Sequence, residues 1–158
     1  MANLGFVRLG PIGGKMARRL LEAGHSVTGY NRTKSRAQWL LDLGMLWGDT
    51  PRAEAQAAEV TLSVVRDTEA LVAVTGGPDG LLAGLGPGKY YIDMSTVSPS
   101  TSKQLAGKAS EAGSMMFKRP CFREPGRIKA RIAFIHGRWR PRSPRGHPTY
   151  IARHRADG

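Results

Sequence analysis

Hydrophobic and polar positions along residues 1–117 alternate between two rhythms. Short apolar runs at 4–9, 25–30, 45–47, 60–65 and 90–94 have the length and the β-branched or aromatic content of strands. Between them apolar side chains recur at helical spacing, as in Met16, Leu20 and Leu21 or Ala37, Leu40 and Leu41. Local signals mark the helix ends. Gly24 and Gly44 suit helix C-termini, Thr33 and Asp67 suit N-caps, and Thr50-Pro51 and Ser98-Pro99 each put proline at a first helical position. A glycine-rich loop is expected over 76–88. Strands alternating with helices of about ten residues predict an α/β fold, a Rossmann-type doubly wound parallel sheet over residues 1–117. After Phe117 the periodicity stops, so 118–158 is expected to be an irregular extension.

Charge sharpens that boundary. The net charge of +12 suggests nucleic-acid binding until it is divided along the chain. Residues 1–117 hold 12 Lys+Arg against 10 Asp+Glu, a balance of +2, whereas 118–158 hold 12 against 2, a balance of +10. Five of the ten prolines and three of the four histidines also lie in the second stretch. An arginine- and proline-rich arm of this kind is expected to be disordered and to attract polyanions weakly, which makes nucleic acid a non-specific partner. One cysteine, Cys121, allows neither an internal disulfide nor a multi-cysteine metal site, and no metal is expected. No apolar run reaches the roughly 18 residues of a membrane span, and no signal peptide is legible, so the expected compartment is the cytoplasm.

The candidate chemistry sits where strands end. After the first strand, Arg8-Leu-Gly10-Pro11-Ile12-Gly13 supplies the second and third glycines of G-x-G-x-x-G, the turn that sets backbone N–H groups against a dinucleotide pyrophosphate. Arginine replaces the first glycine. At a turn that favours unusual φ values, Arg8 is expected to crowd the loop by more than its charge along the phosphates offsets, so that glycine there would tighten binding. At the end of the second strand an acidic residue would bind a ribose 2′-hydroxyl, but the sequence is Asn31-Arg32-Thr33. A guanidinium beside a hydroxyl suits a 2′-phosphate and hence NADP over NAD. Ser95 and Thr96 follow the fifth strand, at the sheet edge where α/β proteins take ligands.

These segments, with Gly24-His-Ser-Val27, Gly77-Pro-Asp-Gly-Leu-Leu82 and Asp93-Met-Ser-Thr-Val-Ser-Pro99, resemble the β-hydroxyacid dehydrogenases. That family includes 3-hydroxyisobutyrate dehydrogenase, tartronate semialdehyde reductase and glyoxylate/succinic semialdehyde reductase. The resemblance runs from about Leu4 to Phe117. It implies NADP-linked hydride transfer with a small hydroxyacid or semialdehyde. It also places Val65, Arg66 and Thr96 against the cofactor and Ser95 and Thr96 beside the substrate. A Leu-Pro or Leu-Ser pair is more usual in the family at 65–66.

Past Phe117 the family pattern is not legible. Neither Lys118 nor Lys129 lies in the G-x-G-x-x-x-K-x-x-x-N setting of the family's catalytic lysine, so no catalytic residue is assigned and the chain is expected to be a truncated, inactive form. Shifted forward by one nucleotide, codons for Arg119-Pro-Cys-Phe-Arg-Glu-Pro125 can be read as the Ala-Pro-Val-Ser-Gly-Ser that the family resemblance implies there, and a frame-shifted origin is expected from about Lys118 onward. The alternative is a non-catalytic dinucleotide-binding or nucleic-acid-associated module with a basic tail. Oligomeric state and substrate identity are open on this sequence.

Overall fold

A computed structural model describes residues 1–118. The tail from 119 onward, with the frame-shift and polyanion expectations attached to it, lies outside the described residues. Six strands, β1 (Asn3–Val7), β2 (Ser26–Tyr30), β3 (Leu46–Trp47), β4 (Val60–Ser63), β5 (Tyr90–Asp93) and β6 (Met115–Lys118), form one sheet in the order β3-β2-β1-β4-β5-β6. Every pairing is parallel. The helices between them are α1 (Pro11–Glu22), α2 (Gln38–Leu41), α3 (Pro51–Ala57), α4 (Thr68–Thr75), α5 (Leu81–Gly84) and α6 (Pro99–Glu111). This is the doubly wound Rossmann arrangement expected from the alternating pattern.

Parallel central strands are covered on both faces and therefore read as continuous apolar runs. In β1 the residues Leu4–Val7 are all buried, and β4 is buried throughout. Val7, Ala55, Leu71, Leu81, Tyr91 and Leu105 pack into one cluster joining β1, β5, α3, α4, α5 and α6. Helix starts follow their signals in two cases. Thr50 Oγ1 accepts from the Ala53 amide at 3.0 Å, and Asp67 Oδ1 accepts from the Ala70 amide at 2.8 Å.

The structure departs from the pattern in three places. Thr33 makes no side-chain cap, and the segment it opens is a 3-10 turn, Lys34–Ala37, that passes into the one-turn α2. The glycine-rich loop contains α5, because Leu81 is fully buried and draws one helical turn onto the core. β6 was not expected at all. Its Phe117 stacks on Tyr90 with ring centroids 6.3 Å apart, and Lys118, assigned to the tail by composition, pairs with Asp93 as the strand's last residue. Among the described residues no helix is long and apolar enough to cross a membrane.

Candidate functional site

The strand order reverses between β1 and β4, because β1 is followed outward by β2 on one side and β4 is followed by β5 on the other. Connections from these strands leave in opposite directions and open a crevice at the carboxyl edge, the switch point where such sheets take ligands. Immediately after β1, the Arg8 amide donates to the Tyr30 carbonyl at 2.9 Å, which locks the turn onto β2. Arg8 holds φ at 73°, the left-handed region that glycine adopts freely and arginine does not.

The two remaining fingerprint glycines have separate physical reasons. A Cβ on Gly13 would stand 2.4 Å from the Arg8 carbonyl oxygen and 3.0 Å from the Phe6 ring, so glycine is what lets α1 pack this close to β1. A Cβ on Gly10 would meet nothing within 4 Å. Gly10 is the N-cap of α1 and carries no capping side chain, and Pro11 and Ile12 stand exposed in the first turn. Of the four positions at a helix start that lack helical partners, Pro11 has no N–H, which leaves three free N–H groups here, and no acidic residue occupies the first turn to compete for them. The open side of Gly10 therefore leaves the backbone at the start of α1 uncovered.

Beside this turn lies a cleft of about 300 Å³ lined by Arg8, Tyr30, Arg32, Arg66, Asp67 and Ala70 among others. Arg32 and Thr33 are exposed at the tip of β2, and Asn31 Nδ2 donates to the Thr33 carbonyl at 3.0 Å to shape their loop. Arg66 is exposed, its Nε donating to Asp67 Oδ2 at 2.6 Å. The Ala70 amide, then Arg66, and at longer range Arg8 hold the Asp67 carboxyl below the usual aspartate range. The cleft thus brings together Arg32 and Arg66, and adds Arg8.

Ser95 and Thr96 stand apart from the cleft, two strands away from β1. Ser95 is only 2% exposed, and its hydroxyl accepts from the Val65 amide at 2.9 Å, tying the end of β4 to the end of β5. Asp93 Oδ1 accepts from the Ser95 amide at 3.1 Å and from Ser63 Oγ at 3.0 Å. Tyr91 lies 2.8 Å from Ser63 Oγ, and burial pushes its phenol well above the ordinary tyrosine range, so it remains a neutral donor. Thr96, next to Ser95, is exposed. Lys118 closes this side, donating to the Val97 carbonyl at 3.0 Å and to Ser102 Oγ at 2.6 Å.

Sequence reasoning missed the Ser63, Tyr91 and Asp93 network because its members lie some 30 residues apart and only strand register brings them together. It weighed the Arg8 charge against the crowding of the turn and took the crowding to be larger; the structure places Arg8 in the lining of the cleft. Among the described residues no cluster of His, Cys, Asp and Glu is arranged to hold a metal.

Three comparisons agree with this geometry. Residues 3–124 match the family model of the NAD binding domain of 6-phosphogluconate dehydrogenase. An uncharacterised oxidoreductase, YfjR, of Bacillus subtilis is 36% identical over 123 residues, covering 78% of this chain and 43% of that protein. Glyoxylate/succinic semialdehyde reductase 2 of Arabidopsis thaliana, a chloroplastic protein, is 31% identical over 118 residues, covering 75% of this chain and 33% of its own. Among solved structures, Psf3 in complex with NADP+ and 2-OPP superposes with a TM-score of 0.68 at 31% identity, over 72% of this chain and 40% of that one. The chain spans less than half the length of these relatives.

Proposed function

The chain belongs to the family of the NAD binding domain of 6-phosphogluconate dehydrogenase, and from that premise we propose that it holds NADP in preference to NAD along the carboxyl edge of its sheet. It is an NAD(P)-binding oxidoreductase domain of the hydroxyacid dehydrogenase and imine reductase kind. The observation that carries the NADP assignment is Arg32, which lines the cleft at the tip of β2 where an NAD-reading domain has a carboxylate. Arg32 and Thr33 bind the 2′-phosphate, and Asn31 shapes their loop. Gly10, Pro11, Ile12 and Gly13 set the start of α1 against the pyrophosphate. Thr96 and the backbone of Val65 and Arg66 line the path of the nicotinamide half, and Ser95 fixes the position of Val65 through its buried hydroxyl. The bound nicotinamide supplies or takes a hydride; the residues of this chain bind it and orient it. That Psf3 was solved with NADP+ supports the choice of cofactor.

The substrate class of the longer protein is a small hydroxyacid or semialdehyde on this reading, which the name of the Arabidopsis glyoxylate/succinic semialdehyde reductase supports. The 158 residues on their own turn over no such substrate, because no lysine among them has the setting required of the proton-transferring group. Calorimetric titration of the 158-residue chain tests the cofactor assignment. NADP should bind about tenfold more tightly than NAD, a difference of about 1.4 kcal/mol, and Arg32→Asp should abolish the gap. Equal affinities in the unaltered chain would refute it.

A further inference from the structure

Two cleft residues depart from the pattern of the family, and both are arginines. Arg8 stands where the fingerprint has glycine, and Arg66 stands where a proline or serine is usual. They come from the ends of different strands, β1 and β4, yet they line the same cleft as Arg32. We propose that Arg8 and Arg66 are added phosphate ligands, so that three guanidinium groups converge on the phosphorylated ribose of an adenine dinucleotide. The proposal rests on the cofactor reading above and deepens it.

Backbone geometry decides the role of Arg8. The sequence alone suggested that arginine distorts the turn and weakens binding. In the structure the turn is formed with arginine in place: the Arg8 amide donates to Tyr30, and the Gly14 amide reaches the Gly10 carbonyl at 2.7 Å. The left-handed φ of 73° is therefore a strain the folded chain already carries before any ligand binds. Strain common to both states lowers folding stability and leaves affinity unchanged. The side chain's effect on affinity is then its charge within the cleft. Arg8 is half-buried, so its guanidinium is screened less than one standing free in water. Asp67 faces it across the cleft, paired with Arg66 and lowered in pKa by Arg8 as well, and a ligand phosphate competes with this carboxylate for both arginines. Glu69 also lines the cleft and opposes an incoming phosphate, a repulsion that the three guanidinium groups must outweigh.

Two substitutions separate charge from strain. Arg8→Gln removes the charge and keeps the strained backbone, while Arg8→Gly removes both. Each should weaken NADP about tenfold in calorimetry at low salt, and Arg66→Leu should weaken it by a smaller factor because Arg66 is highly exposed. Only Arg8→Gly should raise the thermal midpoint, by about 3 °C. Adenosine 2′,5′-bisphosphate, lacking the nicotinamide half, should show the same losses. NADP affinity unchanged or improved in both Arg8 variants would overturn the proposal. If the bisphosphate depends on Arg8 and Arg66 while NADP and NAD bind equally, the three-arginine site stands and the cofactor reading falls. Failure of the unaltered chain to bind either phosphorylated probe overturns both.

Discussion

At the tips of β1, β2 and β4, Arg8, Arg32 and Arg66 border an open cleft, whereas beneath the neighbouring edge Ser63, Tyr91, Asp93 and Ser95 exchange hydrogen bonds within the core. The open group has cationic donors in excess, held by few partners. The buried group is nearly complete, with Asp93 Oδ2 its one atom lacking a hydrogen bond. Buried polar atoms tolerate almost no loss, because an orphaned partner keeps its full desolvation penalty. Exposed charges return little stability and are free to serve a ligand. One sheet edge thus divides labour: the buried groups of β4 and β5 fix geometry, and the exposed tips of β1, β2 and β4 carry charge.

Asp93→Ala tests the rigid side most severely. It leaves the Ser63 hydroxyl and the Ser95 amide without an acceptor, and it should lower folding stability by about 3 kcal/mol. Asp93→Asn, which keeps an acceptor at Oδ1, should lose much less. Urea denaturation of the two variants measures the difference, and equal losses would mean that the network does not organise this edge. Gly13→Ala comes next. Its Cβ meets a backbone oxygen rather than a flexible side chain, so α1 must shift, at a cost of about 2 kcal/mol. Loss of NADP binding without loss of stability would show that the helix start yields more easily than this packing implies.

Glu54 sharpens the contrast from the opposite side of β1. It is fully buried in α3, its carboxylate oxygens lack hydrogen-bond partners, and burial pushes its pKa well above the ordinary glutamate range despite Lys89 and Thr61 acting to lower it. Lys89 is itself occupied at the end of α3, donating to the carbonyls of Ala55, Gln56 and Ala58. A carboxyl whose folded pKa is raised binds its proton more tightly in the folded chain than in the unfolded one. Its stabilising contribution is complete below the unfolded pKa and is lost as pH rises towards the folded value. Stability should therefore decline from the ordinary glutamate range upward, and Glu54→Gln should flatten that slope. A slope unchanged in the glutamine variant would assign the loss to other groups.

How much of this was legible depended on sequence separation. The glycine turn and the Asn31-Arg32-Thr33 tip are local signals, each contained within a few residues, and both lie at the expected edge. Glu54 gave no such signal, since a glutamate in a short helix ordinarily faces water. Its burial depends on Gly5 of β1, where a Cβ would collide with the carboxylate, and on Gly48, where one would approach the Glu54 Cβ to 2.9 Å. Nothing in the local pattern links positions 5, 48 and 54. β6 escaped for a related reason: its apolar run, Met115-Met116-Phe117, is only three residues long and abuts Lys118, where the basic composition begins. The strand exists because Met115 to Lys118 pair with β5, a non-local contact.

Gly10→Ala should have the smallest effect on folding and is the most informative about the open side. Gly10 holds φ −70° and ψ −171°, which alanine adopts without strain. Its Cβ would enter empty space. Alanine reduces the freedom of the unfolded chain, which stabilises by about 0.5 kcal/mol, but it is a poorer N-cap than glycine by a similar amount. The two effects oppose each other, and the thermal midpoint should move by less than about 2 °C. Affinity should respond differently. If the empty side of Gly10 is where the pyrophosphate meets the start of α1, a methyl group there holds the phosphate off the N–H groups and weakens NADP by about tenfold. Gly13→Ala loses binding because the helix moves; Gly10→Ala loses it with the helix in place. Full NADP affinity in a Gly10→Ala chain of unchanged stability would move the pyrophosphate away from this turn and leave the arginine cleft as the only anchor.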